Sequence, residues 1–210
     1  MTARGGALAS CLLCGLAGAL ACAPAGGAAT APTRAAAAPA VGVQPRASDA
    51  WPEREVVRIE TCTSLGYEIC FNAHDDNCNG VADEGCGIPT GVIQFMIAWQ
   101  SSKADVDLNV VDPNGELIEG GRVSKSGLVK ERDCPGRRQE CRGQNLENVF
   151  LEGTYKPLRG TYRVSVTLEE LDGAEPPIWV TLSSRLGFQS YSYEMALVEA
   201  EDERKLELEF

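Results

Sequence analysis

Apolar and polar residues alternate along much of the chain beyond Pro89. In residues 160–168, tyrosine, valine and leucine occupy every second position, with threonine, arginine and serine between them. A period of two places the apolar side chains on one face of a strand, whereas a helix needs a period of about 3.6. Helical periodicity is absent over any useful length. The pattern predicts an all-β fold, an antiparallel β-sandwich that is Ig-like or jelly-roll-like, with about seven to nine strands.

Other segments repeat this alternation or carry the turns between strands. Strand patterns occur at residues 92–99, 105–110, 191–197 and 206–210, and a shorter one at residues 56–60. The sequence Asp112-Pro113-Asn114-Gly115 is typical of a tight turn, because proline presets φ and glycine accepts a positive φ.

The N-terminus has the features of an export signal. Arg4 precedes an apolar run at residues 7–21, which is too short to span a bilayer. We interpret residues 1–21 as a signal peptide. No other stretch approaches the length of about eighteen apolar residues that a spanning helix needs, so no transmembrane helix is predicted for the mature chain.

The end of this run, Ala19-Leu20-Ala21-Cys22, resembles a bacterial lipobox, although Ala19 stands where lipoboxes usually have leucine. Lipidation of Cys22 leaves six further cysteines, an even number that can pair completely. The sequence thus predicts a lipoprotein anchored in the bacterial cell envelope, at the outer membrane. Ordinary secretion or periplasmic release is the alternative.

The composition divides the mature chain into three parts. Residues 22–50, from Cys22 onward, are almost wholly alanine, proline and glycine and predict a disordered tether. Residues 51–89 form a cysteine-rich module with a predicted metal site, and residues 90–210 form the β-sandwich domain.

Six cysteines follow the tether, and after an export signal they predict three disulfides. They are Cys62, Cys70, Cys78, Cys86, Cys134 and Cys141. We expect Cys134 to pair with Cys141, because Pro135-Gly136 can reverse the chain between them. Three connectivities are open for the other four.

The loop from Asp75 to Cys86 has the spacing of a calcium-binding loop. Side-chain oxygens occupy its positions 1, 3, 5 and 9, and Gly80 at position 6 permits a sharp turn. Cys86 replaces the usual glutamate at position 12, so weak calcium binding is expected. The predicted ligands are Asp75, Asn77, Asn79, the Val81 carbonyl and Asp83, with Glu84 in reserve.

Residues 68–86 resemble the MopE-type metal-binding motif of bacterial surface proteins. The half from Asp75 to Cys86 matches throughout, whereas Phe71 is inserted and Ala73 replaces a glycine in the first half. The resemblance implies a metal site and specifies no reaction. The alternative is a disulfide-knotted turn in which the Asp and Asn side chains only accept hydrogen bonds from backbone amides.

A second acidic site is predicted on the strand at residues 105–110. Asp105, Asp107 and Asn109 share the face opposite the apolar residues, and Asp112 follows. Clustered carboxylates repel unless a cation or a basic group lies between them, and Asp133 and Glu147 are candidates to join. The alternative is a solvated polar face.

The strand at residues 105–110 is also part of a second resemblance to a known family. Trp99 with residues 105–116, the segment 147–150 and the segment 160–166 resemble the YfaP-like secreted domains of unknown function, over about residues 90–200. This resemblance implies a β-sandwich in an exported protein and assigns no activity.

The net charge of the chain and the absence of common catalytic motifs restrict the classes of function that it can have. A net charge of −11 argues against nucleic acid as a partner, and the single histidine, His74, removes most triads and multi-histidine metal sites. No G-x-S-x-G, H-E-x-x-H or phosphate-loop motif is present.

We therefore predict a non-enzymatic, membrane-anchored protein that binds an envelope protein or a glycan. The alternative is a secreted or periplasmic enzyme accessory domain, or a glycan-active protein that uses paired carboxylates. A cationic stretch at residues 122–142 could touch anionic lipids or glycans, but pairing with the protein's own acids is the favoured interpretation.

Overall fold

The structure is a computed structural model that describes residues 55–59, 66–134, 141 and 143–210. The predicted signal peptide, the tether with Cys22, and Cys62 lie outside these ranges. Among the residues described, no helix is long and apolar enough to cross a membrane.

Nine strands lie in the described residues. They are β1 (Val56–Ile59), β2 (Ile93–Trp99), β3 (Asp105–Val111), β4 (Leu128–Arg132), β5 (Leu146–Leu151), β6 (Thr161–Glu170), β7 (Ile178–Leu186), β8 (Gln189–Leu197) and β9 (Glu203–Glu209).

The strands form two antiparallel sheets. Sheet A has six strands in the order β1-β8-β7-β2-β5-β4, and sheet B has three in the order β3-β6-β9. The predicted all-β sandwich is therefore confirmed. The predicted turn after β3 also forms, with the Gly115 N–H donating to the Asp112 carbonyl at 2.9 Å and a φ of +84° at Gly115.

The main core lies between the two sheets. Along β6, Tyr162, Val164, Val166 and Leu168 are buried, as the alternation predicted. The Tyr162 ring lies 5.6 Å from the Phe95 ring of sheet A, centroid to centroid. Aromatic and branched side chains from both inner faces thus fill the sandwich.

Strand β2 departs from the half-buried pattern, because all seven of its residues are buried. Its inward side chains belong to the main core, whereas Met96 and Ala98 face the opposite side. There they form a second apolar cluster with Leu146 of β5 and with Ala73 and Ile88 of the cysteine-rich module, and Phe71 packs against this cluster. The module therefore covers the outer face of sheet A at β2 and β5.

Strand β1 lies in the first part of the module and pairs with β8 at the edge of sheet A, where Val56 lies opposite Met195. Residues 51–89 thus supply both a cover for the sheet and one of its strands.

Candidate metal loop and buried acidic cluster

Disulfides frame the module and close one loop of the sandwich. Cys70 is bonded to Cys86 with 5.4 Å between Cα atoms, and Cys134 to Cys141 with 5.6 Å. The predicted Cys134–Cys141 pair is confirmed. Cys78 is also disulfide-bonded. These bonds are expected in an exported chain.

Asp75, Asn77 and Asn79 organise the loop by accepting hydrogen bonds from its backbone. Asp75 accepts from the N–H groups of Asn79 and Gly80, at 3.0 and 2.6 Å. The side-chain oxygen of Asn77 accepts from the Asn79 N–H, and that of Asn79 accepts from the Val81 N–H. Gly80 has a φ of +87°, so the chain turns where the sequence predicted. Each amide oxygen keeps a second lone pair for another contact.

Glu84 lies where the two asparagines converge. The amide groups of Asn77 and Asn79 both donate to its Oε1 atom. Its Oε2 atom is buried and has no hydrogen-bond partner. Buried carboxylate oxygens normally have a partner, so an ordered water or a cation at this oxygen would complete its contacts.

Asp83 points to the other side of the module. It is fully buried, and its carboxylate accepts from the backbone N–H groups of Phe71, Asn72 and Ala73, at 2.5, 3.4 and 2.9 Å. Burial raises the pKa of Asp83, and these hydrogen bonds oppose the rise. In the part of the chain that the structure describes, the three carboxylates of Asp75, Asp83 and Glu84 do not all lie close enough together to share one ion.

Glu68 is a loop residue that sequence reasoning missed. Its two carboxylate oxygens accept from the N–H groups of Asn77 and Asp83, each at 3.0 Å. It therefore ties the two sides of the module together. Its position seven residues before Asp75 carries no motif that would have identified it.

A group of three carboxylates, of which only Asp107 belongs to the predicted second acidic site, lies at the edge where β3 of sheet B meets β5 of sheet A. Carboxylate oxygens of Asp107, Asp133 and Glu147 lie within 4.8 Å of one another. Glu147 is fully buried and accepts from the N–H groups of Leu108 and Cys134, at 2.6 and 3.1 Å. Glu147 thereby joins sheet A to the free edge of β3 and to the disulfide loop.

Lys130 of β4 is the basic group between these acids. Its Nζ atom lies 2.9 Å from Asp133 Oδ1 and 3.0 Å from Glu147 Oε2, and Lys130 is 8% exposed. Lys130 therefore compensates part of the negative charge of the carboxylates at this edge. The signal in the sequence was the position of Lys130, two residues after Leu128 and so on the inward side of the strand.

Burial makes this cluster hold protons more readily than isolated carboxylates do. It raises the pKa of Glu147 well above the ordinary range, against the opposing charge of Lys130, and it raises the pKa of Asp107. For Asp105, burial and then the charges of Asp107 and Asp133 raise the pKa to about 6.

Asn109 and Asp112 lie farther along β3. Asn109 is half-buried on the same face as Asp107. Asp112 comes five residues after Asp107, about 17 Å along an extended chain, and does not join the three carboxylates. Its Oδ1 atom instead accepts from the N–H groups of Asn114 and Glu116, each at 2.9 Å, which stabilises the turn.

The described ion pairs of the cationic stretch are with the protein's own acids. Besides Lys130, Arg122 pairs with Glu119 at 2.7 Å and Arg132 with Glu131 at 3.7 Å. These contacts fit the interpretation that the sequence favoured. Arg137, Arg138 and Arg142 lie outside the described residues.

Comparisons with protein-family models, with curated proteins and with solved structures give no match to this chain. The resemblances to the MopE-type motif and to the YfaP-like domains therefore stay predictions from the residues quoted above.

Proposed function

We propose that this chain is a non-enzymatic, lipid-anchored protein of the bacterial envelope, in which the loop from Asp75 to Glu84 binds calcium and the β-sandwich binds or displays an envelope protein or glycan. The export signal, the lipobox-like Cys22 and the tether support the anchored location. The disulfides at Cys70–Cys86 and Cys134–Cys141 support an oxidising compartment.

The observation that carries the calcium proposal is the orphaned oxygen of Glu84. Two asparagine amides already occupy its Oε1 atom, and its Oε2 atom is buried without a partner. A hard cation satisfies a carboxylate oxygen in this position, and it prefers oxygen ligands such as the second lone pairs of the Asn77 and Asn79 side-chain oxygens and the backbone carbonyls of the loop.

The proposed ligands are Asp75, Asn77, Asn79, Glu84 and the Val81 carbonyl. Asp83, which the sequence placed at position 9, is assigned to the backbone of residues 71–73 instead, because its carboxylate already accepts three N–H groups. Calcium takes six to eight oxygens and accepts water among them, so five protein ligands are compatible with it.

Only two of these ligands, Asp75 and Glu84, carry a charge. Because affinity follows the number of charged ligands and the rigidity of the site, we expect a dissociation constant of about 10⁻⁴ to 10⁻³ M. At a concentration ten times the dissociation constant, calcium adds about 1.4 kcal/mol to the free energy of unfolding.

The test is a calcium titration of the full, oxidised chain by calorimetry, together with its melting temperature. Saturating calcium should raise the melting temperature by about 3 to 6 °C. Asp75→Asn should abolish the rise. The neighbouring change Asp76→Asn is the matched control and should retain it, because the hydrogen bonds that Asp76 accepts in the described residues come from the Ile69 N–H and the Asn72 amide. No heat of binding at 10 mM calcium, or an equal loss in both variants, would contradict the proposed site.

A further inference from the structure

The outer face of β2 and β5 is apolar at its centre and depends on the module for burial. Met96, Ala98 and Leu146 form this centre, and each is at most 5% exposed. Without the module they would present a contiguous apolar patch, which soluble monomers normally avoid.

Among the described residues 66–89, few groups contact this face. Phe71, Ala73 and Ile88 supply the apolar contacts, and the Pro89 carbonyl accepts hydrogen bonds from the amides of Gln94 and Asn148. A contact of this size gives little stability by itself, so residues 66–89 can open locally while β1 and the rest of the sandwich stay folded.

The conformation of the contacting segment is itself strained. Phe71 and Ala73 have φ values of 71° and 56°, in the left-handed region that side chains other than glycine rarely adopt. Such a backbone persists only where its surroundings hold it. Here the Asp83 carboxylate holds the N–H groups of residues 71, 72 and 73.

Asp83 also connects this segment to the proposed calcium loop. It precedes Glu84, which gathers Asn77 and Asn79, and its own N–H donates to Glu68, which also accepts from the Asn77 N–H. Fixing the loop around an ion therefore fixes the position from which Asp83 holds the contacting segment.

We propose that residues 66–89 of the cysteine-rich module form a calcium-tightened cover on the outer face of β2 and β5, and that Asp83 is the positioning residue that couples the loop to the cover. This inference rests on the proposed calcium site. Calcium loss would raise the population of molecules in which the apolar patch around Met96 is exposed to solvent or to a partner.

Two methionines of the chain report on this cover. Met96 lies beneath the module and Met195 lies in the core between the sheets, and they are 0% and 1% exposed. Peroxide oxidation of each, followed by peptide mass spectrometry on the full, oxidised chain, measures how often each becomes accessible. Calcium chloride at 10 mM is compared with a chelator.

If the ion is released when the cover opens, calcium at ten times its dissociation constant lowers the population of molecules with an open cover about tenfold. Met96 should therefore oxidise about tenfold more slowly with calcium, while Met195 keeps its rate. Asp83→Asn places an amide donor against the backbone N–H groups, so in this variant Met96 should oxidise fast with or without calcium while calorimetry still detects binding.

The wild-type measurement is decisive even if Asp83→Asn fails to fold. Calcium uptake by calorimetry with no change in the Met96 rate overturns the cover and leaves the proposed calcium site intact. Equal slowing of Met96 and Met195 also overturns it, because that result means uniform stabilisation of the sandwich. No calcium uptake at all overturns the calcium site and the cover together.

Discussion

The Lys130 ammonium of β4 lies 3.0 Å from the Glu147 carboxylate of β5, and the two side chains are 8% and 0% exposed. Glu147 also accepts hydrogen bonds from N–H groups of β3 and of the disulfide loop, so one carboxylate joins the two sheets at their edge. Burying such a pair costs desolvation energy, and removing one partner leaves an uncompensated charge.

Lys130→Met should therefore destabilise the protein strongly. We expect the free energy of unfolding, measured in urea, to fall by about 3 to 5 kcal/mol. Adding Glu147→Gln should recover part of this loss, because the glutamine oxygen still accepts an N–H while carrying no charge. A double variant that is less stable than Lys130→Met alone would show that the pair is not the source of the effect.

The raised pKa of Asp105 predicts a pH dependence. A carboxyl whose pKa is about 6 in the folded protein, against 3.8 as its ordinary value, binds its proton more tightly when folded. Its contribution to stability is complete below about pH 4 and is lost as the pH rises through about 6.

Urea unfolding of the wild type and of Asp105→Asn between pH 4 and pH 8 measures this contribution. The wild type should lose stability relative to the variant across that window. Glu194→Gln, an exposed change on β8, serves as the control and should track the wild type. Parallel curves for Asp105→Asn and the wild type would exclude the predicted linkage.

The Cys134–Cys141 bond should contribute measurably to stability. It closes a loop with a sequence separation of 7 residues, for which the chain-entropy estimate is about 2.5 kcal/mol. Replacing both cysteines with serine should lower the free energy of unfolding in urea by about that amount. A loss within about 0.5 kcal/mol would show that the bond constrains little, since both cysteines are buried and a core change normally costs more.

Lipidation of Cys22 is a prediction from the sequence alone. Mass spectrometry of the mature protein should find an acylated Cys22 as the first residue. The Cys22→Ala variant should be absent from the membrane fraction of the cells that produce it. An unmodified first residue, at position 22 or later, would favour ordinary export.

The strands that the sequence revealed are those whose inward positions are uniformly apolar, such as β6 and β8. Strands β4, β5 and β7 were not assigned, because polar residues interrupt their pattern. Lys130 in β4, Glu147 and Asn148 in β5, and Ser183 and Ser184 in β7 are all buried. The first three of these make buried hydrogen bonds or ion pairs, so the interactions that stabilise the sandwich also obscured the period of two.

The loop illustrates the same limit at the candidate site. Spacing predicted the turn at Gly80 and the neighbourhood of Asp75, Asn77 and Asn79, because those contacts are local. It could not reveal that Asp83 turns toward residues 71–73, since the direction of that side chain depends on how the module packs on sheet A. The role of Lys130 likewise depends on the pairing of β4 with β5.

The burial of β2 on both sides has a consequence for how the sequence can vary. In a saturation mutagenesis experiment, tolerated changes along β6 should recur at every second position, because Arg163, Ser165 and Thr167 face outward. Along β2 the tolerated changes should not alternate in this way. A residue there meets the core on one side or the module on the other, so each position of β2 carries its own restriction on size and polarity.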